Sequence, residues 1–183
     1  MTYYGGKQLA DAFRTVRKNT IQIAEDIPEN KYDFRASPET RSVAQTLVHI
    51  AFGTTFQGHI HQNKISDLKT VNFAELIQKL VGEEAKPRTK AEIVALLQSE
   101  GQTFASYLEG LDESFLSQTV TMPPGAPDPA KTRFEMLLSA KEHEMHHRAQ
   151  LMVLERMIGV VPHLTHQMQE RMAQMAAAAQ AAR

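Results

Sequence analysis

Apolar residues recur along this chain at alternating spacings of three and four, the period of a helix with one buried face. Leu9, Phe13, Val16, Thr20 and Ile23 form the first such stripe and predict a helix over about Lys7 to Asp26, ended by Pro28. A second helix is predicted over Ser42 to Ile60. Val43, Leu47, Ile50 and Thr54 lie on one of its stripes, and Thr46, His49, Gly53, Phe56 and Ile60 lie on the next. Both stripes are mostly apolar, so this helix belongs deep in the fold; either Ser42 or Thr40 suits its N-cap. Thr89 with Glu92 has the capping-box pattern and opens a third long helix, with Val94, Leu97, Gly101, Phe104, Leu108 and Leu111 on its stripe. Thr132 with Glu135 repeats the pattern and opens a fourth. Its stripe is Met136, Ala140, His143, His147, Gln150, Leu154 and Met157, and Gly159 and Pro162 stop it.

The connections are long. Tyr32 to Thr40 reads as a connector, Phe73 to Val81 as a short helix capped by Asn72, and Gly82 to Pro87 as a loop. Met122 to Pro129 holds Pro123, Pro124, Pro127 and Pro129 around Gly125, which fits neither a helix nor a central strand. His163 to Arg183 ends in an alanine-rich run whose small side chains favour helix yet bury little, leaving a packed or a fraying tail as alternatives. No stretch keeps a period of two. These elements predict an all-α protein: a four-helix bundle with long crossover connections, one domain over residues 1–183, a core of about 7–157 and a C-terminal helical segment over 163–183.

Composition narrows the chemistry. With 183 residues and 42% hydrophobic content the chain has enough material for one sizeable core. Lys+Arg 20 against Asp+Glu 21 leaves a net charge of -1 and no basic cluster, so nucleic acid is not an expected partner. Apolar runs are broken well before a membrane span, and Met1 to Lys7 lacks the pattern of a signal peptide, so a cytoplasmic location is expected. Cys 0 excludes disulfides, a cysteine nucleophile and thiolate ligands. Any metal must be held by imidazole or oxygen, and any thiol must come from outside.

The eight histidines separate on these stripes. His59, His61, His163 and His166 read as surface or capping residues. His143 and His147 are one turn apart, about 40° around the helix, and share a stripe with Met136, Ala140 and Leu154. Imidazoles at core positions need hydrogen bonds or a metal. His146 competes with His147 as the second ligand, but its stripe of Ser139, Glu142, Ala149 and Val153 is more polar, which places it at the rim. His49, among Phe52, Gly53 and Phe56, is the candidate third ligand. Three neutral imidazoles suit zinc or nickel, and also iron, cobalt or manganese, and they leave coordination positions for water or substrate.

Three stretches together resemble the DinB/YfiT-like superfamily of four-helix metalloenzyme-type proteins. They are Tyr32-Asp33-Phe34-Arg35-Ala36-Ser37-Pro38-Glu39-Thr40 leading into Ser42-Val43-Ala44, Leu47-Val48-His49-Ile50-Ala51, and His143-Glu144-Met145-His146-His147-Arg148-Ala149-Gln150-Leu151. The last is close to a His-x-x-x-His-Arg-Gly-Gln pattern, with Ala149 in place of the glycine. The likeness spans about Lys7 to Met157. It implies a metal triad of His49, His143 and His147, a right-handed bundle with a long connection between its second and third helices, and homodimers.

Members of that superfamily include transferases and an isomerase that use bacillithiol, mycothiol or glutathione, alongside simple metal binders. The expectation is therefore a metal-dependent enzyme adding or transferring an external low-molecular-weight thiol to a small electrophilic substrate. A bound divalent metal would lower the pKa of that thiol. Arg148 or His146 would hold an anionic group or orient a ligand, although Arg148 equally suits a surface pair with Glu144. Metal-assisted hydrolysis is the alternative, but it wants a carboxylate base, and helical geometry turns Glu144 away from the histidine stripe. The third reading is a stress-related binding or dimerisation module without catalysis.

Overall fold

Each long helix starts where a side chain satisfies amides that have no partner within the helix. In the computed structural model, which describes residues 4–181, α1 spans Gly6–Asp26, and Gln8 Oε1 accepts from the Gly5 N–H at 3.0 Å. Ser42 is the cap of α2, Val43–Gln62: its hydroxyl accepts from Gln45 N at 3.2 Å, and Gln45 Oε1 accepts from Ser42 N at 3.1 Å. Thr40 instead closes the preceding turn by donating to Ser37 O at 2.8 Å. Thr89 and Thr132 cap α4, Lys90–Glu109, and α6, Arg133–Met157, as their capping boxes predict. Between them lie α3, Phe73–Glu84, and α5, Glu113–Leu116; α7, His163–Ala181, closes the chain. Met1 to Tyr3, Ala182 and Arg183 lie outside the described residues, so the readings made on them stay expectations.

Most of the predicted stripe positions are buried, while Gly53, Phe56, Val94, Leu111 and His143 are half-buried and Gln150 is exposed. Leu9, Phe13, Val16, Thr20 and Ile23 are all buried, and α1 packs along α4 and α6. The doubly striped α2 lies between α4 and α6, with Leu47, Ile50 and Ala51 buried against Ile23, Leu97 and Leu151. A second apolar cluster joins Leu9, Phe13, Phe104, Leu108 and Leu137.

Arg17 of α1 reaches three other helices, α2, α4 and α6, in that interior. It makes a fork to Glu144 of α6, with Nη2 at 2.9 Å and Nε at 3.0 Å, and donates to Leu97 O of α4 at 2.9 Å and Ile50 O of α2 at 3.2 Å. Gly101 leaves room for it: a Cβ there would stand 2.7 Å from Arg17 Cγ. Glu144 is therefore bound inside the core by Arg17 and is not the partner of Arg148.

Four further details depart from the sequence reading. The segment Gly82 to Glu84 is helical, because α3 runs on past Val81 before breaking ahead of Pro87. Two three-residue strands, β1 Thr119–Thr121 and β2 Ala130–Thr132, pair antiparallel around the proline loop and are too short to show a period of two. Met157, at the end of α6, is exposed rather than on the core stripe. Finally, α7 is a continuous helix to Ala181 whose first turn, His163 to Thr165, is half-buried beside α1, while 166–181 are exposed and rest on alanine propensity. No described helix is long and apolar enough to cross a membrane.

Candidate metal centre

The middle of α2 faces the middle of α6, and this crossing brings His49 onto His143 and His147. The ring centroids are 4.9 Å apart for His49 and His143, and 4.6 Å for each of the other two pairs. One ring nitrogen from each residue lies within 4.8 Å of the others, and the two Nε2 atoms of His49 and His143 are 3.0 Å apart. Gly53, one turn on from His49, makes the approach possible. A Cβ at that position would come within 3.0 Å of His143 Nδ1 and Cε1.

Outer contacts fix which nitrogen faces inward. His49 Nδ1 lies 2.7 Å from Glu84 Oε1, and a carboxylate only accepts, so Nδ1 carries the proton and Nε2 offers its lone pair to the centre. Glu84 is held in turn by Arg41 Nε at 2.6 Å. His147 Nδ1 lies 2.8 Å from Gln150 Oε1, whose amide nitrogen reaches His146 Nε2 at 3.1 Å. Both histidines thus have the bonded second nitrogen usual for metal ligands.

Burial holds all three imidazoles below the ordinary histidine range. His143 falls to about 4 through burial and the neighbouring histidines. His49 and His147 are lowered mainly by burial, which outweighs their bonds to Glu84 and Gln150. Neutral imidazole is the form a metal needs, so this donor set fits a divalent ion such as zinc.

Beside the triad lies a cleft of about 860 Å³, lined by Arg35, Arg41, Gln45, Glu84, His146, His147 and Gln150 among others. Two carboxylates, Glu39 and Glu84, offset its two guanidinium groups: Arg41 pairs with Glu84, and Arg35 donates to Thr40 O at 2.7 Å. His146 stands at the rim, exposed, as its stripe predicts. Arg148 does not line the cleft; its charge acts instead on His163.

The surface role expected for two other histidines also fails. His61 is buried, bonded to Gln57 Oε1 at 3.1 Å and to Arg133 Nη1 at 3.2 Å, and is lowered to about 4 by burial and by Arg133. His163 is half-buried, 3.6 Å from Asp26 Oδ2.

Glu84, Arg41, Arg35 and Gly53 were not picked out as site residues in the sequence. Gln150 was on the histidine stripe, and its i+3 spacing from His147 is the local signal for its role.

Comparison with known proteins agrees with this fold. The chain resembles a DinB-like protein, YjoA, from Bacillus subtilis, with 21% identity, a TM-score of 0.62, and coverage of 83% of this chain and 92% of that one. It also resembles YfiT from Bacillus subtilis, described as a probable metal-dependent hydrolase with an unusual four-helix bundle topology. There the identity is 15% and the TM-score 0.66, covering 87% of this chain and 91% of that one. An uncharacterized protein from Clostridium difficile 630 shares 13% identity at a TM-score of 0.64, covering 85% of this chain and 98% of that one. No protein with a curated description matches. These likenesses show a common fold, and the sequence profile of the DinB superfamily matches residues 12–151, which is most of the chain. The chain is a member of the DinB superfamily.

Proposed function

We propose that His49, His143 and His147 hold a divalent metal and that the protein is a metal-dependent enzyme acting on a small molecule in the adjoining cleft. The observation that carries this is the convergence of three buried or half-buried, neutral imidazoles, two of them oriented by bonds to their outer nitrogens. Zinc or nickel suits three nitrogen donors best, with iron, cobalt and manganese after them. Bound there, the ion supplies Lewis acidity that lowers the pKa of a thiol or a water.

Within that reading, the addition of an external low-molecular-weight thiol to an electrophile fits the residues better than hydrolysis. Attack by water wants a carboxylate base. The acid beside the triad, Glu84, is already engaged by His49 and Arg41, and Glu144 is engaged by Arg17. A thiol whose pKa is lowered by a bound metal would lose its proton to water near neutral pH without such a base; its sulfur would then form the new carbon–sulfur bond as the electrophile opens a multiple bond and takes up a proton, or releases a leaving group. Arg35, which has no ion-pair partner among the described residues, would hold a carboxylate of a peptide-like thiol such as bacillithiol, mycothiol or glutathione. Hydrolysis is the second reading, favoured by the description of YfiT as a probable metal-dependent hydrolase. Homodimerisation belongs to the same proposal, and sedimentation of the purified chain checks it.

Metal analysis of the purified protein is the first test, with stoichiometric metal expected and lost in His49→Ala. Metal-free protein, with His49→Ala leaving stability and metal uptake unchanged, would remove both enzyme readings in favour of a non-catalytic module. If metal is present, turnover of small electrophiles with and without added thiol separates the two reactions. Turnover of esters or amides without thiol would overturn the transferase.

A further inference from the structure

A second cavity, of about 440 Å³, lies between α2, α3 and α4 and shares none of the lining residues of the histidine cleft. Its walls are mostly apolar: Phe52 and Phe56 of α2, and Leu76, Ile77 and Leu80 of α3. The covering helix α3 buries none of its own side chains, and Ile77 remains 59% exposed. A volume of this size falls within the range of small-molecule sites.

Three charged side chains also line the cavity, and two of them are occupied. Lys79 pairs with Glu75, and Glu83 pairs with Lys86 and Arg88. Glu100 of α4 is half-buried and has no cation or hydrogen-bond donor among the described residues. On the aromatic wall, the Arg88 guanidinium stands 5.8 Å from the centroid of the Phe52 ring, so that ring already has a cation beside it. An apolar cavity with one unpaired carboxylate selects an apolar body that carries a positive charge.

We propose that the cavity under α3 is a second ligand site, which takes a small hydrophobic cation of the aryl- or alkylammonium class. The apolar body lies against Phe52, Phe56, Leu76 and Leu80, and the ammonium donates to Glu100. The site stands whether or not the histidines hold a metal.

Calorimetry on the full chain tests it with three probes of one shape: benzylammonium, benzyl alcohol and phenylacetate. Benzylammonium is expected to bind about 10-fold tighter than the alcohol, and phenylacetate not at all. Glu100→Gln should bring the cation down to the level of the alcohol. Leu80→Trp, which fills the cavity, should abolish both while circular dichroism shows the fold intact. Amide exchange over 73–84 should slow when the cation is bound, because the ligand ties α3 to α2 and α4. Equal binding of the three probes would overturn the proposal, as would cation binding that survives both substitutions. Loss of that binding in His49→Ala but not in Glu100→Gln would also overturn it, by assigning the cation to the histidine cleft.

Discussion

Glu155 sits near the end of α6 with both carboxylate oxygens buried and no hydrogen-bond partner. Burial, reinforced by Asp26, lifts its pKa from the ordinary 4.5 to about 7. The folded state therefore holds the proton more tightly than the unfolded chain does. Its contribution to stability is complete below pH 4.5 and is lost as the pH rises to about 7. His61 has the opposite sign: its neutral ring accepts from Arg133, so its contribution is complete above pH 6.5 and lost as the pH falls to about 4. Glu155→Gln removes the first effect and keeps the second. The variant is expected to match the parent near pH 4 and to exceed it by about 1–3 kcal/mol near pH 8 in urea denaturation. A difference that does not change with pH would show that Glu155 is not protonated in the fold. Neither residue announced itself in the sequence. His61 reads as a capping histidine because the guanidinium that encloses it comes from Arg133, on another helix.

At the scale of elements, capping chemistry and apolar spacing made the long helices legible, and Thr89, Thr132 and Asn72 cap the helices expected of them. The end of α3 was harder to read. Gly82 and the charged run after it suggest a loop, yet the helix continues for one more turn and carries Glu84 to His49. The triad was visible as spacing on two helices, whereas its outer support came from an element with no apolar signal at its end. If the three histidines hold metal, Glu84→Ala frees His49 Nδ1 and leaves the ligands in place. Metal affinity should then fall about 10- to 100-fold in competition with a chelator. Unchanged affinity would mean that α2 alone orients His49.

For the whole molecule, Arg17 and Glu144 are the contact that makes four helices interdependent, since one guanidinium bonds to α2, α4 and α6 at once. The sequence placed Glu144 off the histidine stripe correctly but offered Arg148 as a partner, because one helix shows only its own i+4 neighbours. Gly101 was the available hint: a residue without a side chain on an apolar stripe leaves space for something larger, here Arg17. Removing one member of a buried pair strands the other charge in low dielectric, which costs more than the pair itself contributes. Glu144→Ala is thus expected to lower stability by about 3–5 kcal/mol in denaturant unfolding. Replacing both members, Arg17→Met with Glu144→Leu, should recover most of that loss, because no charge is then left unpaired. A double variant as unstable as the single one would mean that the backbone carbonyls of Ile50 and Leu97, stripped of their donor, bear the cost instead of the carboxylate.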